Sequence, residues 1–306
     1  LKTGWSTRQW DGIGFPDNWA DSRGLSSHIQ GVTRVGGGRW VLSHNREDDP
    51  GFLIYGNNND FRFMTSSGWG IHPGSIQAAG NVVAIPFSEP QQVRIVHFGA
   101  HGPVELTHLL TPDTDEGIPN SVGIAYYPPH DAYYMIIGIT ENRTQTTDYP
   151  LYKSHAGKSL MDSTNSFEKM GEVNVEGSET GMQLMFDEKT KKMHLLTLYR
   201  GDGDGLLVPN YHRAVLSKLT FPGTVNDEGP YPTYSFSSEQ ISAREDFDES
   251  GGLFTDPSFR FGAGAVLDDS GRLNLIATER CIPTLYFWMQ SCQGDGNGLD
   301  YFILKP

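Results

Sequence analysis

Apolar and polar positions alternate along this chain in short bursts. A strand-length apolar run, a polar turn and a second apolar run recur five times, and charged or polar residues follow each return run. The first copy is His28-Ile-Gln-Gly-Val-Thr-Arg-Val, which turns at Gly36-Gly37-Gly38 and returns as Arg39-Trp-Val-Leu-Ser toward Asn45-Arg46-Glu47. The second starts at His72-Pro-Gly-Ser-Ile-Gln, turns at Ala79-Gly80-Asn81 and returns to Ser88-Glu89. The third starts at Asn120, turns at Pro128 to Asp131 and ends at Glu141-Asn142-Arg143. The fourth starts at Thr180, turns at Asp187 to Lys191 and ends at Tyr199-Arg200-Gly201-Asp202. The fifth starts at Phe261, turns at Asp268 to Gly271 and ends at Thr278-Glu279-Arg280. Apolar runs this short, bounded by Gly, Pro, Asn and Asp, predict β-hairpins, and their recurrence predicts a repeat architecture.

Most copies continue into a third and a fourth strand, such as Gly51-Phe-Leu-Ile-Tyr and Asp60-Phe-Arg-Phe-Met after the first hairpin. Four short antiparallel strands per unit is the make-up of a propeller blade. The last unit supplies a third strand, Asp300-Tyr-Phe-Ile-Leu, without a fourth. An unpaired edge there would be a liability. Gly4-Trp-Ser-Thr-Arg-Gln-Trp is strand-like and has no blade of its own, so it is expected to complete the last blade as its outer strand. The chain thus resembles an all-β, five-bladed β-propeller of one domain. Its expected blades lie over roughly 25–68, 69–115, 116–176, 177–257 and 258–306, with 1–24 as the closing segment. The stretch from Val225 to Pro257, rich in Gly, Pro, Ser and acidic residues, reads as a loop. A propeller hosts many functions, so function must come from the site.

In each hairpin the tight turn lies on one face of the ring, so the start of the first strand and the end of the second lie on the other. Five hairpins therefore bring His28, Gln30, His72, Gln77, Asn120 and Gln183 toward one channel mouth, with Arg46, Glu89, Glu141, Arg200, Glu279 and Arg280. A ring of Arg–carboxylate pairs clipping the blades together would explain the charges. A cleft in which Arg forks grip a polyhydroxyl or anionic ligand explains the histidines and amides as well. Glycoside hydrolysis needs two carboxyl groups across the scissile bond. Glu89 or Glu279 is the expected proton donor and Glu141 the opposing carboxylate. Elimination from an acidic polysaccharide would instead use His28 or His72 as base. Arg46, Arg200, Arg280, Gln30, Gln77, Asn120 and Gln183 are the expected ligand-binding residues.

Two other functions stay open. A lectin-like or protein-binding propeller needs the same mouth without the chemistry, although blades this different in length favour one composite site. A metal-dependent enzyme would draw on His28, Gln30, His72, Gln77 and nearby His44. Asp202-Gly-Asp204-Gly and Asp295-Gly-Asn297-Gly resemble fragments of calcium loops without the distal glutamate, so a divalent metal such as calcium is a candidate cofactor. Trp69, Trp288, Tyr126, Tyr127 and Phe261 are candidate sugar-stacking platforms, each with core packing as the alternative.

Charge and cysteines refine this picture. A net charge of −14 makes nucleic acid and anionic membrane surfaces poor partners. A small molecule or saccharide bound by a monomer is the expected partner. Cys281 and Cys292 bracket a run whose halves can fold back on each other. A disulfide there would place the protein in a secreted or extracytoplasmic compartment, while two free buried thiols would carry no such message.

Overall fold

The computed structural model describes residues 7–10, 28–46, 49–57, 60–65, 68–99, 102–110, 117–140, 146–176, 181–201, 211–220, 237–244, 258–267, 273–278, 282–283, 292–293 and 299–303. Strand β1 (Thr7–Trp10) precedes a first run of β2 (His28–Val35), β3 (Arg39–Arg46), β4 (Asp49–Asn57) and β5 (Asp60–Thr65). Next come β6 (Ile71–Pro73), β7 (Gln77–Ala79), β8 (Val82–Glu89), β9 (Gln92–Gly99) and β10 (Gly102–Leu110). The third run is β11 (Ile118–Tyr127), β12 (Ala132–Thr140), β13 (Thr146–Ser154) and β14 (Phe167–Glu176). The fourth is β15 (Gly181–Asp187), β16 (Lys192–Gly201), β17 (Tyr211–Thr220) and β18 (Ser237–Arg244). The last comprises β19 (Ser258–Leu267), β20 (Leu273–Thr278), β21 (Ile282–Pro283), β22 (Cys292–Gln293) and β23 (Leu299–Ile303). Strand β18 falls inside the stretch expected to be loop. Its pairing with β17, from Ala214↔Arg244 to Thr220↔Ser237, overrides the weak local pattern.

Innermost strands close a circuit: β2 lies against β7, β7 against β11, β11 against β15, β15 against β19, and β19 against β2. Antiparallel strands fan outward from each, and the fold is an all-β propeller. Among the described residues hydrogen bonding nevertheless groups the strands into four sheets, of 13, 4, 4 and 2 strands, which corrects the expectation of five separate blades. Strands β11–β14 and β15–β18 stand as separate four-stranded sheets. The other antiparallel runs fuse through a parallel pairing of Ala263 with Gly31 and Gly264 with Val32, and through the single pair Pro50↔Ile71. Glycine is the physical reason. A Cβ on Gly264 would strike the Val32 carbonyl, and one on Gly31 would lie 2.6 Å from the Ile76 nitrogen. Without those side chains the innermost backbones approach to hydrogen-bonding distance. Within this fused sheet β1 pairs antiparallel with β23, Thr7 opposite Phe302 and Trp10 opposite Leu299.

The core lies between neighbouring runs. Val35, Val41 and Leu53 pack against Ile76, Val83, Ile85 and Phe87. Val82, Ala84, Val93 and Ile95 face the other way, onto Val122, Ile124, Met135 and Ile137. Tyr134, Ile136, Tyr149 and Leu151 meet Met182, Leu184 and Leu195, and Leu196 and Leu198 meet Ala263, Ala265 and Leu275. Strand β8 is buried on both sides from Val82 to Phe87, which is why its sequence is an unbroken apolar run instead of an alternating one. Fully burying one such side chain contributes about 1.5–3 kcal/mol. The turns follow the local chemistry: Gly37 and Gly80 take φ of 75° and 67°, where a Cβ would strain the backbone.

The second copy of the hairpin begins differently from the others. Its first strand breaks between β6 and β7, and Gly74-Ser75 crosses the axis. The Gly74 N–H donates to the Pro86 carbonyl, and the Ser75 N–H donates to the Asn120 carbonyl at 2.7 Å. The Ser75 hydroxyl donates to the Ala263 carbonyl at 2.8 Å, joining β19 across the ring. A Cβ on Gly74 would collide with the Asn120 carbonyl. At this depth Gly74-Ser75 meets the backbone of β8, β11 and β19.

Candidate functional site

Strand registers define the mouth. His28 pairs with Asn45, Ile71 with Glu89, and Ile118 with Thr140, all at the end away from the tight turns. Glu89 is the exposed last residue of β8. Across the ladder, one residue along from its partner Ile71, stands His72. The His72 ring meets Gln30 of β2, Nε2 to Nε2 at 2.7 Å. His72 is exposed, but the surrounding protein still desolvates its ring and holds the imidazole pKa below the ordinary value of 6.5. Its backbone adopts φ of 51°, a left-handed conformation that a non-glycine residue keeps only when its surroundings impose it.

The other expected ligand-binding amides separate by burial. Gln77 is buried, and its carbonyl oxygen accepts from two backbone N–H groups, Ile124 of β11 and Leu184 of β15, each at 2.7 Å. Its amide nitrogen donates to the Leu184 carbonyl at 2.7 Å. Gln183 is likewise buried and donates to the Ile76 carbonyl at 3.2 Å. Both are clips between innermost strands, which corrects their assignment to the ligand. The alternation of strand side chains explains this, since these two project between runs and not into the mouth. Asn120 is half-buried, and its carbonyl is the acceptor that fixes Ser75.

For the remaining candidates the structure describes backbone or nothing. His28, Arg46 and Arg200 lie in β2, β3 and β16, with Arg46 opposite Asp49 and Arg200 opposite His212. Glu141, Glu279 and Arg280 lie outside the described residues, as do Asp202, Asp204, Asp295, Asn297 and Trp288. Phe261 lies in β19. Trp69 sits next to the mouth, packed partly buried against Phe87 and its neighbours, with the Arg94 guanidinium 5.9 Å from its ring. Gln92 and Arg94 both donate to its backbone carbonyl, so it is held as part of the wall. Tyr126 and Tyr127 flank the turn of the β11–β12 hairpin, on the far face. There the Tyr126 hydroxyl donates to Asp131, and Tyr127 stacks edge-on with His130, Tyr134 and Phe186. That placement removes both from the mouth.

Ser75 was not among the residues expected here, and neither was Ser121. The Ser121 hydroxyl is fully buried and has no hydrogen-bond partner among the described residues, and its residue bridges Ser75 on the axis. The signal for Ser75 was the glycine before it, a position where backbone must approach closely. Among the described residues no three His, Cys, Asp or Glu side chains gather closely enough to hold a metal ion. The burial of Gln77 takes one of the expected ligands out of any such set. Cys292 opens β22 opposite Pro283, Cys281 lies outside the described residues, and no disulfide is seen among the described ones. No helix among the described residues is long and apolar enough to cross a membrane.

No family model matches this chain, and no curated protein does. Solved structures do. A Thermus thermophilus protein described as an oxidoreductase (glucose dehydrogenase) has 11% identity and a TM-score of 0.46, over 98% of this chain and 100% of that one. The GH43B protein of the Bacteroides ovatus xyloglucan PUL has 10% identity and a TM-score of 0.44, over 92% of this chain and 52% of that one. This chain thus spans about half the length of that relative. The endo-1,5-α-L-arabinanase of Thermotoga petrophila RKU-1 has 9% identity and a TM-score of 0.36, over 90% of this chain and 83% of that one. Scores below 0.5 at identities near a tenth leave the reaction open.

Proposed function

We propose that this chain is a carbohydrate-active enzyme of the glycoside hydrolase type, with one composite site at the mouth. The observation that carries the reading is the Gln30–His72 pair at the end where the strand ends converge, with the exposed Glu89 paired to Ile71, the residue before His72. Polar groups in a fixed geometry around an open carboxylate suit an uncharged, hydroxyl-rich ligand. Glu89 or Glu279 serves as proton donor and Glu141 as the opposing carboxylate. Arg46, Arg200 and Arg280 orient the sugar, with His28 beside them. A carboxyl separation of about 5–5.5 Å would retain anomeric configuration, and about 6.5–9.5 Å would invert it. Polysaccharide elimination with His72 as base is the weaker reading, because an amide already occupies one nitrogen of that ring.

The reading includes a single propeller domain, supported by the circuit of β2, β7, β11, β15 and β19 and by the pairing of β1 with β23. It also includes a monomer in an oxidising, extracytoplasmic compartment with Cys281 linked to Cys292, for which intact mass after non-reducing alkylation is the check.

Turnover of a panel of neutral and acidic polysaccharides by Glu89→Gln, Glu141→Gln and Glu279→Gln variants tests the chemistry. At least one should lose roughly 10²–10⁴-fold in rate while remaining folded. Undiminished turnover in all three would remove the catalytic assignment. Glycan binding without turnover by the unmodified protein would make it a binding module, and loss of turnover to a chelator would restore the metal-dependent alternative.

A further inference from the structure

We infer that Gln30 is a positioning residue that fixes the tautomer of His72, so that His72 offers Nδ1–H to the ligand as a hydrogen-bond donor and does not serve as a base. This deepens the reading of the mouth as a saccharide site and gives one of its walls a defined role.

The geometry is specific. The group of Gln30 that faces the ring is its amide nitrogen, 2.7 Å from His72 Nε2. An amide nitrogen can only donate, so Nε2 must be the unprotonated, accepting nitrogen. In a neutral imidazole the proton then resides on Nδ1. Among the described residues this Gln30 contact is the hydrogen bond that the His72 ring makes, and it leaves Nδ1 on an exposed residue. The left-handed backbone at His72, φ 51°, fixes where the ring is carried. Just beyond it, the Gly74 N–H is tied to the Pro86 carbonyl and the Ser75 N–H to the Asn120 carbonyl. A ring flipped about its Cβ–Cγ bond would set a carbon against the Gln30 amide and give up the 2.7 Å contact. With Nε2 engaged and Nδ1 protonated, no lone pair is left to abstract a proton from a sugar carbon. What remains is a neutral N–H suited to a sugar hydroxyl or ring oxygen.

The test reads the ring directly and needs no substrate. Long-range proton–nitrogen correlation spectra of histidine-labelled protein at pH 7.5 separate the two tautomers, and His72→Gln identifies the signals by their loss. The expected spectrum shows His72 protonated at Nδ1 and bare at Nε2. Gln30→Leu should move the proton toward Nε2, and Gln30→Glu, which can accept from the ring, should place it there. A wild-type ring protonated at Nε2 would overturn the inference, as would a tautomer unchanged in a folded Gln30→Leu protein. If Gln30→Leu does not fold, the wild-type spectrum alone decides. Undiminished turnover in the glutamate variants would strike the hydrolase reading and leave this result standing. An Nε2-protonated ring would strike this inference and leave that reading standing.

Discussion

Two glutamines on equivalent strands of this ring do opposite things. Gln77, on β7, is buried with both ends of its amide used, and it joins β11 and β15. Gln30, on β2, is only half-buried and spends its amide on one exposed histidine. Both lie near the start of an innermost strand, and both face away from the tight turns. The difference is depth along the axis. Below the Ser75 crossing an amide has only backbone to bond and becomes a joint, while above it an amide meets side chains and solvent and is free to shape a ligand. A residue's place in the repeat therefore says which end of the ring it is near, and its depth says what it does.

The sharpest way to break this contrast is at the crossing itself. Gly74→Ala puts a Cβ into the Asn120 carbonyl and should cost more than about 4 kcal/mol or prevent folding, as read by denaturant melts. Gly80→Ala, in open space but at φ 67°, should cost only about 1 kcal/mol. Next in size, Gln77→Leu orphans the Ile124 and Leu184 N–H groups and should cost about 2–6 kcal/mol, at roughly 1–3 per buried unsatisfied group. Gln30→Leu should cost under about 1 kcal/mol, the ordinary range for a lost partly exposed hydrogen bond. Equal costs for the two glutamine variants would erase the distinction drawn here.

Acidification gives a smaller effect, with a definite sign. Burial lowers the pKa of His72, of His130 (with Lys153 adding to it) and of His194, where Asp187 opposes the shift in part. For each the unfolded chain binds protons more readily, so stability is fully present above about pH 6.5 and declines as pH falls from there through the depressed folded pKa. Melting temperatures at pH 7.5, 6.5 and 5.5 should fall in that order, and His130→Gln should flatten the trend. The smallest effects compare the two axial serines. Ser75→Ala gives up a buried hydrogen bond to Ala263 and should cost about 1 kcal/mol. Ser121→Ala removes a buried hydroxyl that has no partner among the described residues and should be neutral to slightly stabilising.

The hairpins were legible in the sequence because turn chemistry is local. Gly36 to Gly38, Ala79 to Asn81, Pro128 to Asp131 and Asp187 to Lys191 all turn where glycine, proline or short polar residues permit it. The pairing of the N-terminal strand with the last one could be anticipated from an edge that needed covering. Strand β18 was hidden, since only the register of β17 makes Ser237–Arg244 extend. At the site, the sequence showed which residues reach the mouth end of their strands but not how deep each would sit. Depth depends on Gly31, Gly74 and Gly264 letting backbones meet across the ring, a property of strands far apart in sequence. That is why Gln77 and Gln183 read as ligand-binding residues and prove to be joints.

The same joint has a consequence for how the chain acquires its structure. The Gln77 carbonyl is satisfied only after partners 47 and 107 positions downstream have both arrived. A partial ring of early strands would leave that buried oxygen without its donors. Repeats that stack in a line can be completed one at a time; here the second, third and fourth innermost strands must lock together in one event. Such long-range closure predicts slow, all-or-none folding, with β7, β11 and β15 losing their amide-exchange protection together and not in succession along the chain.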